Sequence, residues 1–233
     1  MGNEELHPWE YLAKKMFWSR LNFVYNMRVL DFGSGSGVTA DHLAVDNQVT
    51  AVEPSLEMIN SRKPLNKYVQ LTGGIEKLRD MKDDSFDVII CHNVLEYVEE
   101  RQQVINEFHR LLKNKGKLSI VKHNRPGRVM QMVVLLNNFQ HAKELMEGEN
   151  GKTQQPYGDI HYYDDGDINN WCKGFSVDEI TGARTFWDLQ QNQDIQKDLE
   201  WQKNMLEMEL MVSNVEEYKN IACFHHIIFT NNK

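Results

Sequence analysis

The chain has 233 residues, a formal net charge of −8 and 41% hydrophobic residues. That length suits one α/β domain with an ordinary core. No stretch of about 18 apolar residues exists, which excludes a membrane-spanning helix, and the acidic balance argues against broad nucleic-acid binding, although Lys122, Arg125 and Arg128, and likewise Lys14, Lys15 and Arg20, form local basic clusters. The start, Met1-Gly2-Asn3-Glu4-Glu5, has neither a basic nor an apolar leader region, so no secretory leader is expected. Leu6 stands where a myristoylation signal needs Ser or Thr. Cys91, Cys172 and Cys223 form no Cys-x-x-Cys pair, which points away from a metal site or disulfide framework and toward a reducing, cytoplasmic setting.

In chain order, Trp9, Leu12, Ala13, Met16, Phe17 and Leu21 recur at helical spacing and predict an N-terminal helix within 7–26. Apolar runs predict strands at 28–32 and 49–53, with helices at 36–45 and 55–62, then a strand at 68–71. Asp83-Asp84-Ser85 reads as a turn before a strand at 86–91. Val104, Ile105, Phe108, Leu111 and Leu112 share one face of a helix at 98–113, which Asn114-Lys115-Gly116 closes with a glycine stop before a strand at 117–121. This alternation implies a parallel, doubly wound α/β sheet. Beyond it the pattern changes to a helical stretch at 126–146, a polar and acidic loop at 147–159 and a Tyr- and Asp-rich run at 160–167. A helix at 165–173, a strand at 177–186, a helix at 188–212 and a last strand at 221–230 complete the reading.

The most informative run is Val29-Leu30-Asp31-Phe32-Gly33-Ser34-Gly35-Ser36-Gly37, a strand followed by a glycine turn and a helix start. Glycine tolerates positive φ and lets backbone approach a ligand, and a helix start presents unpaired N–H groups. Glu53 ends the next strand, where an acid can hold the hydroxyls of an adenosine ribose. A dinucleotide fingerprint would place its third glycine at Val38. The observed G-x-G-x-G spacing and Asp31 point instead to a different adenosine cofactor.

Asp31-x-Gly33-x-Gly35-x-Gly37 with Glu53, together with Phe86-Asp87-Val88-Ile89-Ile90-Cys91 and Gly116-Lys117-Leu118-Ser119-Ile120, resembles the class I S-adenosylmethionine (SAM) methyltransferases. The resemblance implies a Rossmann-like seven-stranded sheet of order 3-2-1-4-5-7-6 with the last strand antiparallel, and a helical and loop lid after strand five. It implies one domain over 1–233, with an N-terminal helix in 1–27, a SAM-binding half at 28–121 and a substrate-side half at 122–233. SAM is the implied cofactor and S-adenosylhomocysteine the product. By the same resemblance Asp31, Gly33, Ser34, Gly35, Gly37, Glu53 and Pro54 bind cofactor, as do Gly74, Ile75 and Glu76 at the adenine loop and His92 and Asn93 at the methionine end.

A narrower similarity joins His92-Asn93-Val94-Leu95-Glu96-Tyr97-Val98, Asn124, Gly127, Asn138-Phe139, Thr181-Gly182-Ala183-Arg184-Thr185-Phe186-Trp187-Asp188, Leu206-Glu207-Met208-Glu209 and His226 to the SmtA/CmoM group. Its members are tRNA methyltransferases that esterify the carboxylate of 5-carboxymethoxyuridine at the wobble position. The resemblance implies a carboxylate acceptor oriented by Arg184, whose planar fork suits an anion. His123 and His226 would serve as proton acceptors if the acceptor were a nitrogen or hydroxyl. Two features depart from the group. Ala13 stands at its SAM-carboxylate arginine, leaving Lys14 or Lys15 for that role, and the loop at 147–159 is acidic where the group's is lysine-rich. The methyl acceptor is thus tRNA or a small molecule, the latter with its pocket closed by 125–170. A SAM-binding regulator without turnover is the other class, and no membrane partner is expected.

Overall fold

The computed structural model describes residues 6–150 and 158–233. Seven strands form one sheet in the order β3-β2-β1-β4-β5-β7-β6, with β7 antiparallel to both neighbours. The strands are β1 (Arg28–Phe32), β2 (Gln48–Glu53), β3 (Val69–Thr72), β4 (Phe86–His92), β5 (Leu112–His123), β6 (Phe175–Ala183) and β7 (Phe224–Asn231). β1 pairs in parallel with β2 and β4, and β4 with β5. The order is the one the family resemblance implies. Strands buried on both faces read as near-continuous apolar runs, and β1 and β4 do so, with Val29, Leu30, Val88, Ile89, Ile90 and Cys91 fully buried. Asp31 is the exception, an acid 3% exposed inside such a strand.

The described residues cluster into two compact units. One comprises Phe23–Val121, Tyr163–Glu179 and Ile227–Lys233. It holds α2 (Val38–Leu43), α3 (Leu56–Asn60), α4 (Ile75–Arg79), α5 (Arg101–Leu111) and α8 (Asp167–Trp171). The apolar face of α5 is buried as its periodicity predicts, and Phe108 meets Phe32 edge-on at 5.4 Å. Each such fully buried side chain is worth about 1.5–3 kcal/mol. The other unit draws on Met1–Asn22, Lys122–Tyr162 and Ile180–His226. It holds α1 (Pro8–Ser19), α6 (Arg125–Val134), α7 (Phe139–Met146), α9 (Leu199–Val212) and α10 (Glu216–Lys219). There Phe17 of α1 packs edge-on against Phe224 and His226 of β7.

Three local expectations are corrected, and one helix is added. Asn114-Lys115-Gly116 is not a helix stop: α5 ends at Leu111 and the chain enters β5 at once, with Lys115 at φ 65° inside a bulge that shifts the pairing from Phe86↔Leu112 to Val88↔Lys117. The helix expected over 126–146 breaks between α6 and α7, where Asn137 takes φ 51° and the Asn138 side chain caps the His141 N–H. The helix expected over 188–212 is two short 3₁₀ turns followed by α9, capped by Asp198 on the Trp201 N–H. The glycine loop after β3 leads into α4, which the sequence reading did not separate. Of the polar loop at 147–159, residues 151–157 lie outside the described residues.

Candidate active site

The turn after β1 has the conformation its glycines demand. Gly33, Gly35 and Gly37 have φ of 74°, 56° and 76°, a region that costs ordinary L-residues roughly 1–2 kcal/mol each. The Gly33 and Ser34 N–H groups donate to the Val52 carbonyl, tying the turn to the end of β2. A Cβ on Gly33 would overlap Val94, and one on Gly37 would overlap the Tyr68 hydroxyl. One on Gly35 would meet only the Met58 methyl at 3.4 Å. Gly35 is thus the position where the protein itself leaves backbone open to a ligand.

Glu53 holds this turn. Its two carboxylate oxygens accept the Gly35 N–H at 2.8 Å and the Ser55 N–H at 2.9 Å. A carboxylate has about four acceptor directions, so two remain for ribose hydroxyls, which donate. Pro54 is exposed beside it. Around the turn, Arg62 donates to the Tyr68 hydroxyl and to Gln70, whose amide reaches Ser34 Oγ. At the loop after β3, Glu76 accepts the Gly74 N–H at 2.9 Å. That bond, with the charges of Lys77 and Arg79, holds its carboxyl below the usual range. Ile75 starts α4 half-buried.

At the end of β4, His92 Nε2 lies 2.8 Å from Ser119 Oγ. Asn93 takes φ 56°, and its buried Oδ1 has no hydrogen-bond partner among the described residues. A strained asparagine with an unpaired buried oxygen next to the glycine turn's support, Val94, marks a place for a ligand donor. Cys91 behind it is core, and burial with the Glu96 and Asp31 charges pushes its thiol well up. The open backbone at Gly35, the unused acceptor directions of Glu53 and the orphaned Asn93 oxygen fit an adenosine cofactor with an ammonium-bearing tail. When bound, SAM supplies a methyl carbon made electrophilic by its sulfonium.

In the other unit, Arg184 is buried, sits at φ 60° and pairs with Asp188. Its guanidinium lies 4.9 Å over Trp9 and 5.3 Å over Phe224. Burial works against its charge, but Asp188 and the more distant Glu209 raise its pKa. The following residues wrap a second acid. Glu209 of α9, fully buried, accepts the backbone N–H groups of Thr185, Phe186 and Trp187 at 2.8, 2.9 and 2.9 Å. Burial outweighs these bonds and raises its pKa. Sequence reasoning quoted Glu209 within a motif but gave it no role, since its three partners lie more than twenty residues away. Asn124 and Gly127 are architectural: Asn124 donates to the Asn220 and Ala222 carbonyls, and a Cβ on Gly127 would collide with the Ala222 backbone.

His226 is 1% exposed, and burial together with Arg20 lowers its pKa to about 3. An imidazole of such low basicity is a poor proton acceptor. His123 ends β5 with its ring 4.8 Å from Phe224 and 6.3 Å from Tyr162. Tyr162 belongs with His123, Arg125 and Arg128, whereas Tyr163 belongs to the unit of Phe23–Val121 and packs on Trp171. Lys15 lies over the Tyr11 ring at 4.4 Å. The described residues contain no group of three or more metal-ligating side chains and no helix long and apolar enough to cross a membrane.

Residues 30–120 match the methyltransferase domain family. The chain carries a class I SAM-dependent methyltransferase domain. It is 25% identical to the tRNA 5-carboxymethoxyuridine methyltransferase of Escherichia coli K12, over 93% of this chain and 87% of that protein. It is 32% identical to a ubiquinone biosynthesis O-methyltransferase of Xanthomonas oryzae, but over only 46% of this chain and 48% of that protein. A solved SAM-dependent methyltransferase from Mesorhizobium loti shares the fold with a TM-score of 0.58 at 14% identity, covering 94% of this chain and 98% of that one. The methyltransferase uses SAM.

Proposed function

We propose that this methyltransferase esterifies a carboxylate, the one carried by a modified wobble uridine of tRNA. The observation that carries the reading is the reach of the likeness: similarity to the E. coli tRNA enzyme runs through 93% of the chain, while similarity to the quinone enzymes spans 46–66% of it. The Arg184–Asp188 pair and the Glu209 clasp lie in segments that resemble that tRNA group. The chemistry agrees as well. Displacement at a sulfonium methyl needs alignment at near-attack distance more than proton transfer, and a carboxylate acceptor needs no base, in keeping with the low basicity of His226. Arg184 acts here as a rigid cation at the substrate-side unit, held by Asp188 and its aromatic neighbours.

A second reading, O-methylation of a small phenol, draws on the ubiquinone-pathway likeness, and His123 would then be the base. One assay separates the two. The purified full chain, given methyl-labelled SAM and an anticodon stem-loop carrying 5-carboxymethoxyuridine, is expected to yield the methyl ester by mass spectrometry. No ester on the stem-loop, with label appearing in a catechol or phenol panel, would replace the tRNA reading with the second.

A further inference from the structure

We propose that Arg128, assisted by Arg125 and Tyr162, is the receptor for the acceptor's carboxylate. The inference rests on the carboxylate-acceptor reading and names the residues that recognise the anion. Arg184 and Arg128 are comparably buried, at 7% and 9% exposure. Arg184 has a carboxylate partner in Asp188. Arg128 has none among the described residues: Nε donates to the Tyr162 hydroxyl at 3.3 Å and Nη1 to the Gln131 side-chain oxygen, both neutral. A guanidinium does not lose its proton in proteins, and a buried charge without a counter-ion costs several kcal/mol. Cys223, the nearby ionisable group, is no counter-ion, since burial pushes its thiol up to about 12. The segment 151–157, Gly-Lys-Thr-Gln-Gln-Pro-Tyr, contains no acid.

The surroundings are made of donors. Arg125, three residues earlier on α6, lies 4.8 Å over the Tyr162 ring, and its Nη1 is spent on the Leu145 and Glu149 carbonyls rather than on a carboxylate. The Tyr162 hydroxyl accepts from Arg128, so its own proton points elsewhere, and burial keeps that proton on. Gln131 accepts through its oxygen and so offers its amide hydrogens. Two guanidiniums, a phenol and an amide, with Arg125, Arg128 and Gln131 spaced three apart along α6, form a receptor for one anion.

The chemistry follows without a proton step. Arg128 would hold the carboxylate through one oxygen and leave the other free to take a methyl group, which SAM would supply with the electron pair of its broken C–S bond returning to sulfur. The product ester is neutral, so the receptor holds product less tightly than substrate.

The test uses the full chain saturated with S-adenosylhomocysteine and methoxyacetate as probe, followed by NMR line broadening. Wild type is expected to broaden methoxyacetate saturably and its methyl ester not at all. Arg128→Gln should weaken the probe at least tenfold, with Arg128→Lys intermediate and S-adenosylhomocysteine affinity unchanged. Arg125→Gln, at a less buried site, should give a smaller loss even if Arg128→Gln folds poorly. Equal broadening in wild type and both glutamine variants overturns the proposal. So does methyl phosphate displacing the probe at lower concentration, which would make this a phosphate site. Stem-loop turnover is read separately. Arg128-dependent probe binding without ester on the stem-loop keeps the receptor and removes the tRNA reading, whereas turnover by Arg128→Gln with wild-type KM removes the receptor alone.

Discussion

Glu53→Gln tests how the cofactor turn is built. Each Glu53 oxygen accepts one backbone N–H, from Gly35 at 2.8 Å and from Ser55 at 2.9 Å. Glutamine keeps one acceptor and turns a donor toward the other N–H. At least one hydrogen bond to a charged group is lost, worth about 1.5–3 kcal/mol. For a chain of this size that corresponds to a fall of roughly 3–12 °C in melting temperature without ligand. With Glu53 as the ribose acceptor, S-adenosylhomocysteine affinity should drop by roughly a further 10- to 150-fold. Differential scanning fluorimetry reads the first effect and isothermal calorimetry the second. A variant that melts like wild type would refute the bracing role. A variant with unchanged S-adenosylhomocysteine affinity would show that the ribose is held elsewhere.

Gly35→Val should remain folded, since only the Met58 methyl lies near the new Cβ, yet lose SAM binding in calorimetry; wild type should bind SAM and not NAD. Arg184→Ala leaves Asp188 buried without its cation, so stability should fall by about 3–5 kcal/mol in denaturant titration. His226 titrates near 6.5 when unfolded but at about 3 when folded. Between those values the unfolded state binds more protons, so this residue lowers stability as pH falls, by about 1.4 kcal/mol per unit. His226→Phe should therefore lose less stability than wild type between pH 6.5 and 4 in urea titrations, and parallel curves would show that His226 is exposed to solvent.

The cofactor turn was legible because its physics is local. A backbone that must turn at positive φ and stay open to a ligand admits glycine, and the three positions predicted from spacing are the three found in that conformation. The place of Glu53 at the end of β2 was legible for a similar reason, since one strand–helix–strand step sets its distance from Gly33. Asp31 stood out as an acid inside an apolar run, and it is buried as such a residue must be in a central parallel strand. The alternation of apolar runs and helices implied a parallel doubly wound sheet, while the order 3-2-1-4-5-7-6 came from family resemblance.

Tertiary structure alone decided the rest. Asn114-Lys115-Gly116 carries the letters of a helix stop, yet pairing with β4 draws it into a strand bulge. The Thr181–Asp188 segment could be recognised by likeness, but its architecture depends on Glu209 arriving from a later helix to gather three N–H groups. Arg184 and Arg128 look alike in sequence and are buried alike in the structure. They differ because Asp188 reaches one and, among the described residues, only neutral groups hydrogen-bond the other. Backbone conformation is constrained by a residue and its immediate neighbours, so sequence can reveal it. The charge state and use of a buried side chain depend on which groups the fold brings to it from far along the chain.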